Sequence, residues 1–89
     1  MKIRHIIFAP KFDKRWKTLP RETKDSARKA MTLFQENAFH PSLRLHDLSG
    51  KLRNLWSISI DRRNRIIFEV QKDTAILHSI GSHAIYGKV

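Results

Sequence analysis

The hydrophobic pattern of this chain changes period once, near His40, and that change decides most of what the chain can become. Before it, Ala27, Ala30, Met31, Phe34 and Ala38 recur at steps of three and four, the repeat of one helical face. Lys24, Arg28, Lys29 and Glu36 fall off that stripe, so the segment reads as an amphipathic helix over about residues 21–37. Asn37 suits its C-terminal cap. After the change, Trp56, Ile58 and Ile60 alternate with Ser57 and Ser59, and Ile66, Phe68 and Val70 alternate within "RIIFEV". A period of two belongs to half-buried strands. "TAILHSI" adds a last strand that ends at Gly81.

The remaining segments fill in the order. "KIRHIIFAP" reads as a first strand stopped by Pro10. Phe12, Trp16 and Leu19 share one face of a short helix with Asp13 in its first turn, broken at Leu19-Pro20. "DRRN" (61–64) is a polar turn or a bulge, and "QKD" (71–73) turns again. The class is therefore α+β: an N-terminal strand, a two-helix hairpin and an antiparallel three-strand meander, β-α-α-β-β-β. The helices are expected to cover one sheet face, with serines and charges on the other. A chain of 89 residues has room for one core, so residues 1–89 are read as a single domain.

Charge narrows the partner. Eighteen Lys and Arg against eight Asp and Glu give +10, which suits a polyanion such as nucleic acid, or an acidic protein. There is no cysteine, hence no disulfide framework and no thiolate metal site. No apolar stretch approaches the roughly 18 residues of a membrane span, and the start "MKIRHIIFAPKF" lacks the long apolar region of a signal peptide. The expectation is a cytoplasmic protein without a membrane partner.

The common catalytic signatures are missing. The three glycines, Gly50, Gly81 and Gly87, are isolated, so no glycine-rich phosphate loop forms. The acids are scattered, which speaks against a two-metal nuclease, and no nucleophile elbow is present. What remains is Arg, Lys, His and Tyr: Arg44, His46, Lys51, Arg53, Arg62, Arg63, Arg65, His78, His83 and Tyr86 all fall on or beside the sheet. That set suits RNA cleavage by the RNA's own 2′-OH. A base takes the 2′ proton, an acid protonates the leaving 5′ oxygen, and a fixed cation stabilises the charge on phosphorus. A solvated basic face is the plain alternative, and pattern alone leaves it open.

"HPSLRLHDLSGKLRNLWSISIDRRNRIIFEV", followed by "ILHSIGSHAIYGKV", resembles the RelE/ParE superfamily of bacterial toxins from type II toxin–antitoxin pairs. The resemblance spans the whole chain and is most specific in "LSGKLRNLWSISI", "NRIIF" and "IGSHAIY". It implies a RelE-like fold. In the branch of RelE, YoeB and YafQ it implies a ribosome-dependent endoribonuclease that cuts mRNA in the A site and so inhibits translation. In the ParE-like branch the implied act is DNA gyrase poisoning, and a non-catalytic basic RNA-binding protein is a third reading. Either toxin would be neutralised by a cognate antitoxin wrapped around it. Operator DNA would be met only through the antitoxin complex, and neither cofactor nor metal is implied.

Carried over, the resemblance makes Arg65 the arginine on the scissile phosphate and His83 a proton-transfer group behind the glycine turn. Tyr86 matches a C-terminal aromatic that stacks on a base or donates a proton, with core packing as its rival. His46 and His40 fall where ribonuclease members carry a basic or acidic catalytic group, although His40 also suits shaping the turn before Pro41. Arg44, Lys51, Arg53, Arg62, Arg63 and Lys88 are implied RNA-backbone contacts, and Trp56 a core aromatic. The chain departs from the pattern in one respect. No glutamate stands shortly before "LSG" and no lysine lies between His40 and Gly50, so histidines would have to replace the family's base there.

Overall fold

The computed structural model describes residues 1–48 and 54–82. Strand β1 (His5–Phe8) is shorter than the run read from the sequence at both ends, and helix α1 (Pro10–Trp16) begins on the proline itself. Proline lacks an N–H and its fixed φ suits the first helical position, so Pro10 opens the helix as well as closing the strand. The Ala9 N–H still donates to the Leu77 carbonyl at 3.0 Å, which keeps the chain on the sheet up to that point.

Leu19 does not extend α1, as its spacing suggested. It sits in the connecting turn, its N–H on the Trp16 carbonyl at 3.1 Å, and still packs against the core. Pro20 accounts for this by keeping the preceding residue out of helical geometry. Helix α2 (Arg21–Glu36) then follows its stripe: Ala27, Ala30 and Phe34 are buried, and Asn37 caps it with an N–H to the Leu33 carbonyl at 2.7 Å.

The strands that follow are β2 (His46–Asp47), β3 (Leu55–Ser59), β4 (Asn64–Gln71) and β5 (Thr74–Ser82). They form one sheet in the order β1-β5-β4-β3-β2. The meander is antiparallel and β1 joins β5 in parallel; the two helices carry the chain from β1 at one edge of the sheet to β2 at the other. β2 adds a fifth strand that the sequence did not reveal, since two residues cannot display a period of two.

Register sorts the side chains between faces. Trp56 opposes Phe68, Ile58 opposes Ile66, and Ile66 in turn opposes Ile80, all on the side of the helices. Phe34 of α2 meets Phe68 edge-on, ring centroids 4.8 Å apart at 65°, the geometry aromatic pairs prefer. The other face carries Leu55, Ser57 and Ser59 of β3 opposite Glu69, Ile67 and Arg65 of β4. The serines and charges are there as read, but the face is not simply solvated. Ser57 and Ile67 are fully buried, Ser79 nearly so, and Leu48 and Leu55 pack with Ile67 in a second small apolar cluster.

One irregularity matters for this face. Phe68 pairs with Leu77 and Ile67 with Ser79, so β5 carries an extra residue, His78, at a bulge. Leu77 and Ile80 both lie toward the helices, so His78 and Ser79 share the opposite side. Among the described residues no helix is long and apolar enough to cross a membrane.

Candidate functional site

Arg65 stands near the start of β4, on the face away from the helices, between Ser59 of β3 and Gly81 of β5. Gly81 is buried and has φ 155°, a conformation that favours glycine, and without a Cβ it leaves the stem of the arginine uncrowded. Arg65 is half-buried, and its guanidinium reaches back to the Ser57 hydroxyl at 3.4 Å. That bond is long, so it orients the group without neutralising it.

Two further arginines converge on this point. The segment after α2 closes in a 3-10 turn (Pro41–Leu43), where the His40 ring Nδ1 accepts from the Ser42 N–H at 3.2 Å and meets the Ser42 hydroxyl at 2.9 Å. The turn ends in Arg44, whose backbone is left-handed at φ 47° and ψ 52°. A residue with a Cβ pays roughly 1–2 kcal/mol for that conformation, and it turns the chain back toward β2. Arg62 comes from the β3–β4 turn. Together Ser42, Arg44, Ser59, Ile60, Asp61, Arg62 and Arg65 line an open groove of about 520 Å³.

Asp61, the acid in the groove wall, is engaged in holding the turn. Its Oδ1 accepts the N–H groups of Arg63 (2.8 Å) and Asn64 (2.7 Å), and the Asn64 side-chain amide donates to both carboxylate oxygens. Burial alone would raise its pKa. The hydrogen bonds from the Asn64 side chain and from the backbone of Asn64 and Arg63, with the charge of Arg63, outweigh burial and hold it below the ordinary carboxylate value. An acid so stabilised as its anion is a poor proton acceptor. The groove therefore offers three arginines against one carboxylate already in use, which is chemistry for holding phosphodiesters.

The other residues singled out from sequence fall as follows. His40 has the turn-shaping contact described above and does not line the groove itself. His46 is exposed on β2, directly across from Ser57 and so on the same face as Arg65. Arg63 is exposed on the far side of the turn. Trp56 packs against the core. Lys51, Arg53, His83, Tyr86 and Lys88 lie outside the described residues.

Sequence reasoning did not single out Ser42, Ser59 or the tie made by Asp61, nor the pairing of His78 with Glu69. His78 Nε2 stands 3.0 Å from Glu69 Oε1, while Gln71 Nε2 donates to Glu69 Oε2 at 2.7 Å. The hydrogen bond from Gln71, then that from His78, with His78's charge, hold the Glu69 carboxyl below its usual range against a smaller effect of burial. Glu69 lies four positions along β4 from Arg65, roughly 13 Å along a strand, so this pair is distinct from the groove. A signal existed: the apolar positions of β5 step from Leu77 to Ile80, one residue out of alternation. Among the described residues no group of three or more His, Asp or Glu side chains could hold a metal ion.

The same fold is found in solved structures. YafQ from E. coli strain BL21(DE3) superposes with a TM-score of 0.78 at 17% identity, over 93% of this chain and 97% of that one. YafQ in the E. coli DinJ-YafQ toxin-antitoxin complex gives 0.74 at 19% identity, over 91% and 93%. The YoeB dimer from Staphylococcus aureus gives 0.74 at 16% identity, over 93% and 99%. At these identities the likeness is one of fold. No curated protein matches by sequence. Residues 21–88 do match the family model described as ParE-like toxin domain, which agrees with the RelE/ParE resemblance read from the motifs. The chain thus belongs to the ParE-like toxin domain family, within the RelE/ParE superfamily of toxins.

Proposed function

We propose that residues 1–89 form one toxin domain that acts as a ribosome-dependent endoribonuclease in the cytoplasm, cutting mRNA in the A site until a cognate antitoxin neutralises it. The observation that carries the proposal is the groove in which Arg65 of β4 meets Arg44 and Arg62. In this reading the Arg65 guanidinium binds the scissile phosphate and stabilises the charge that builds on its oxygens as the 2′-oxygen attacks. The 2′-O–P bond forms and the P–O5′ bond breaks, leaving a 2′,3′-cyclic phosphate and a free 5′-OH. This route needs no metal, because the nucleophile belongs to the substrate.

Proton transfer is assigned to His46, on the same face as Arg65, and to His83, which follows Ser82 at the end of β5. Tyr86 is assigned to stacking or proton donation. His40 acts through the turn it caps, by fixing Ser42 and Arg44. Loss of one acid or base is expected to slow cleavage by roughly 10²- to 10⁴-fold. Lys51, Arg53 and Lys88 extend the backbone contacts. The ribosome supplies orientation of the mRNA that so small a groove does not.

The antitoxin is assigned to the other side of the molecule. There Phe8, Phe12, Trp16 and Met31 line an apolar cleft of about 330 Å³ beside the β1 edge, with Ile7 and Phe8 exposed and Arg28 stacked over Trp16. An acidic antitoxin segment with apolar anchors complements that surface and the +10 charge. The complexes DinJ-YafQ and YoeB-YefM of the structural relatives support a partner of this kind.

The test uses purified toxin with one mRNA, free or held on initiated ribosomes. Cleavage within codons only on ribosomes, lost in Arg65→Ala, is the expected result. Equal cleavage of free mRNA would remove the ribosome from the account. Intact mRNA in both would remove the nuclease, and DNA gyrase would become the target to assay.

A further inference from the structure

A second hollow, of about 620 Å³, lies across the β3–β4 turn from the arginine groove. Its walls include Leu19 and Pro20 before α2, Thr23 in the first turn of α2, and Arg63, Asn64 and Ser82. Asp61 and Arg62 line both spaces, so the turn is a crest between two hollows. Strand parity explains the two sides. Arg65 and its partner Gly81 face away from the helices, while Asn64 and its partner Ser82, one step along, face toward them. The bonds converging on the Asp61 carboxylate fix the crest between them.

We infer that this crest is a saddle for single-stranded RNA, and that the second hollow holds the backbone of nucleotides flanking the phosphate bound at Arg65. The inference rests on the reading of the groove as an RNA site and extends it to a longer track. Arg62 makes the two hollows continuous, and Arg63 brings a cation to the second one. Thr23, Asn64 and Ser82 add hydrogen-bonding groups suited to phosphate and ribose oxygens. Leu19 and Pro20 are its apolar residues, a thin anchor for a protein partner when compared with the aromatic cleft beside β1.

Binding is measured by fluorescence anisotropy across a salt series, with labelled 2′-O-methyl oligouridylates that cannot be cut, a trinucleotide and a nonanucleotide. Arg63→Ala is expected to weaken the nonanucleotide about fivefold and to lower its salt slope by about 0.7, the share of one phosphate on a single strand, while sparing the trinucleotide. Thr23→Glu, which sets a carboxylate in the hollow from α2 without touching the turn, reproduces that pattern. Arg65→Ala weakens both lengths. Lys14→Ala, an equal loss of charge on the exposed side of α1, weakens neither. An unchanged nonanucleotide affinity in Arg63→Ala and Thr23→Glu overturns the second hollow while leaving the groove intact. So does a Lys14→Ala loss as large as that of Arg63→Ala, which would reduce the effect to overall charge. Weaker binding of a decaglutamate peptide alone would give the hollow to an acidic protein and overturn the inference too. Failure of the wild type to bind either oligonucleotide overturns both readings.

Discussion

Arg44 combines a left-handed backbone with a place in the groove, and two substitutions separate these roles. At φ 47° and ψ 52°, a side chain with a Cβ costs roughly 1–2 kcal/mol relative to the right-handed region. Glycine removes that cost but adds roughly 0.5–1 kcal/mol of unfolded-state freedom. Arg44→Ala keeps the strain and Arg44→Gly relieves it, so the glycine variant should be the more stable of the two by about 0.5–1 kcal/mol. For a domain of this size that is a difference in Tm of about 2–8 °C. Both variants lack the guanidinium, so both should bind RNA more weakly, and to the same extent. Thermal unfolding by circular dichroism reads the first quantity and oligonucleotide anisotropy the second. Equal Tm values for the two variants would refute the claim of strain. Wild-type RNA affinity in either would remove Arg44 from the groove's function.

Further expectations concern the core and the second sheet face. Phe34→Ala should cost about 3–5 kcal/mol, read by urea unfolding, because Phe34 is 1% exposed and its ring lies against Phe68. Ser79→Ala should leave stability unchanged or raise it, since the Ser79 hydroxyl is buried and finds no hydrogen-bond partner among the described residues; a clear loss in the same urea titration would contradict this. Glu69, held below its usual pKa first by Gln71 and then by His78, stabilises the fold above the unfolded carboxylate value near 4 and stops doing so as pH falls through its lower folded value. Glu69→Gln should therefore be less stable than wild type at neutral pH and lose less on acidification, as unfolding at pH 7 and below pH 4 would reveal.

What the sequence made legible follows from periodicity. The stripe through Ala27, Ala30 and Phe34 became the buried side of α2, and the alternation of Trp56, Ile58, Ile66 and Phe68 became the helix-facing side of the sheet. Features without a period were missed. β2 has two residues, and its place on the edge depends on pairing His46 and Asp47 with Ser57 and Trp56, a contact between distant segments. The bulge at His78 left only a one-residue slip in the apolar pattern, and its consequence, the pair with Glu69, needs the register of β4 to be seen. In the candidate site, Arg65 stands out through the resemblance, in "NRIIF"; the pattern of residues alone marks it only as one of several basic groups on the sheet. Arg44 is named there too, as a backbone contact; what no sequence pattern shows is the turn that brings it beside Arg65, which depends on a left-handed residue that is not glycine. Ser57 and Ser59 mark the polar face in the alternation; the burial of Ser57 there comes from apolar neighbours supplied by other segments, Leu48 among them.

The central claim is that Arg65 directs cleavage of mRNA during translation. Primer extension on a reporter mRNA after brief induction of wild type, Arg65→Ala and His83→Ala tests it most directly. The account predicts discrete cuts within translated codons for the wild type, lost in both variants while each still accumulates as folded protein. Growth arrest by the wild type with the reporter mRNA intact, or cuts of undiminished strength in Arg65→Ala, would contradict it.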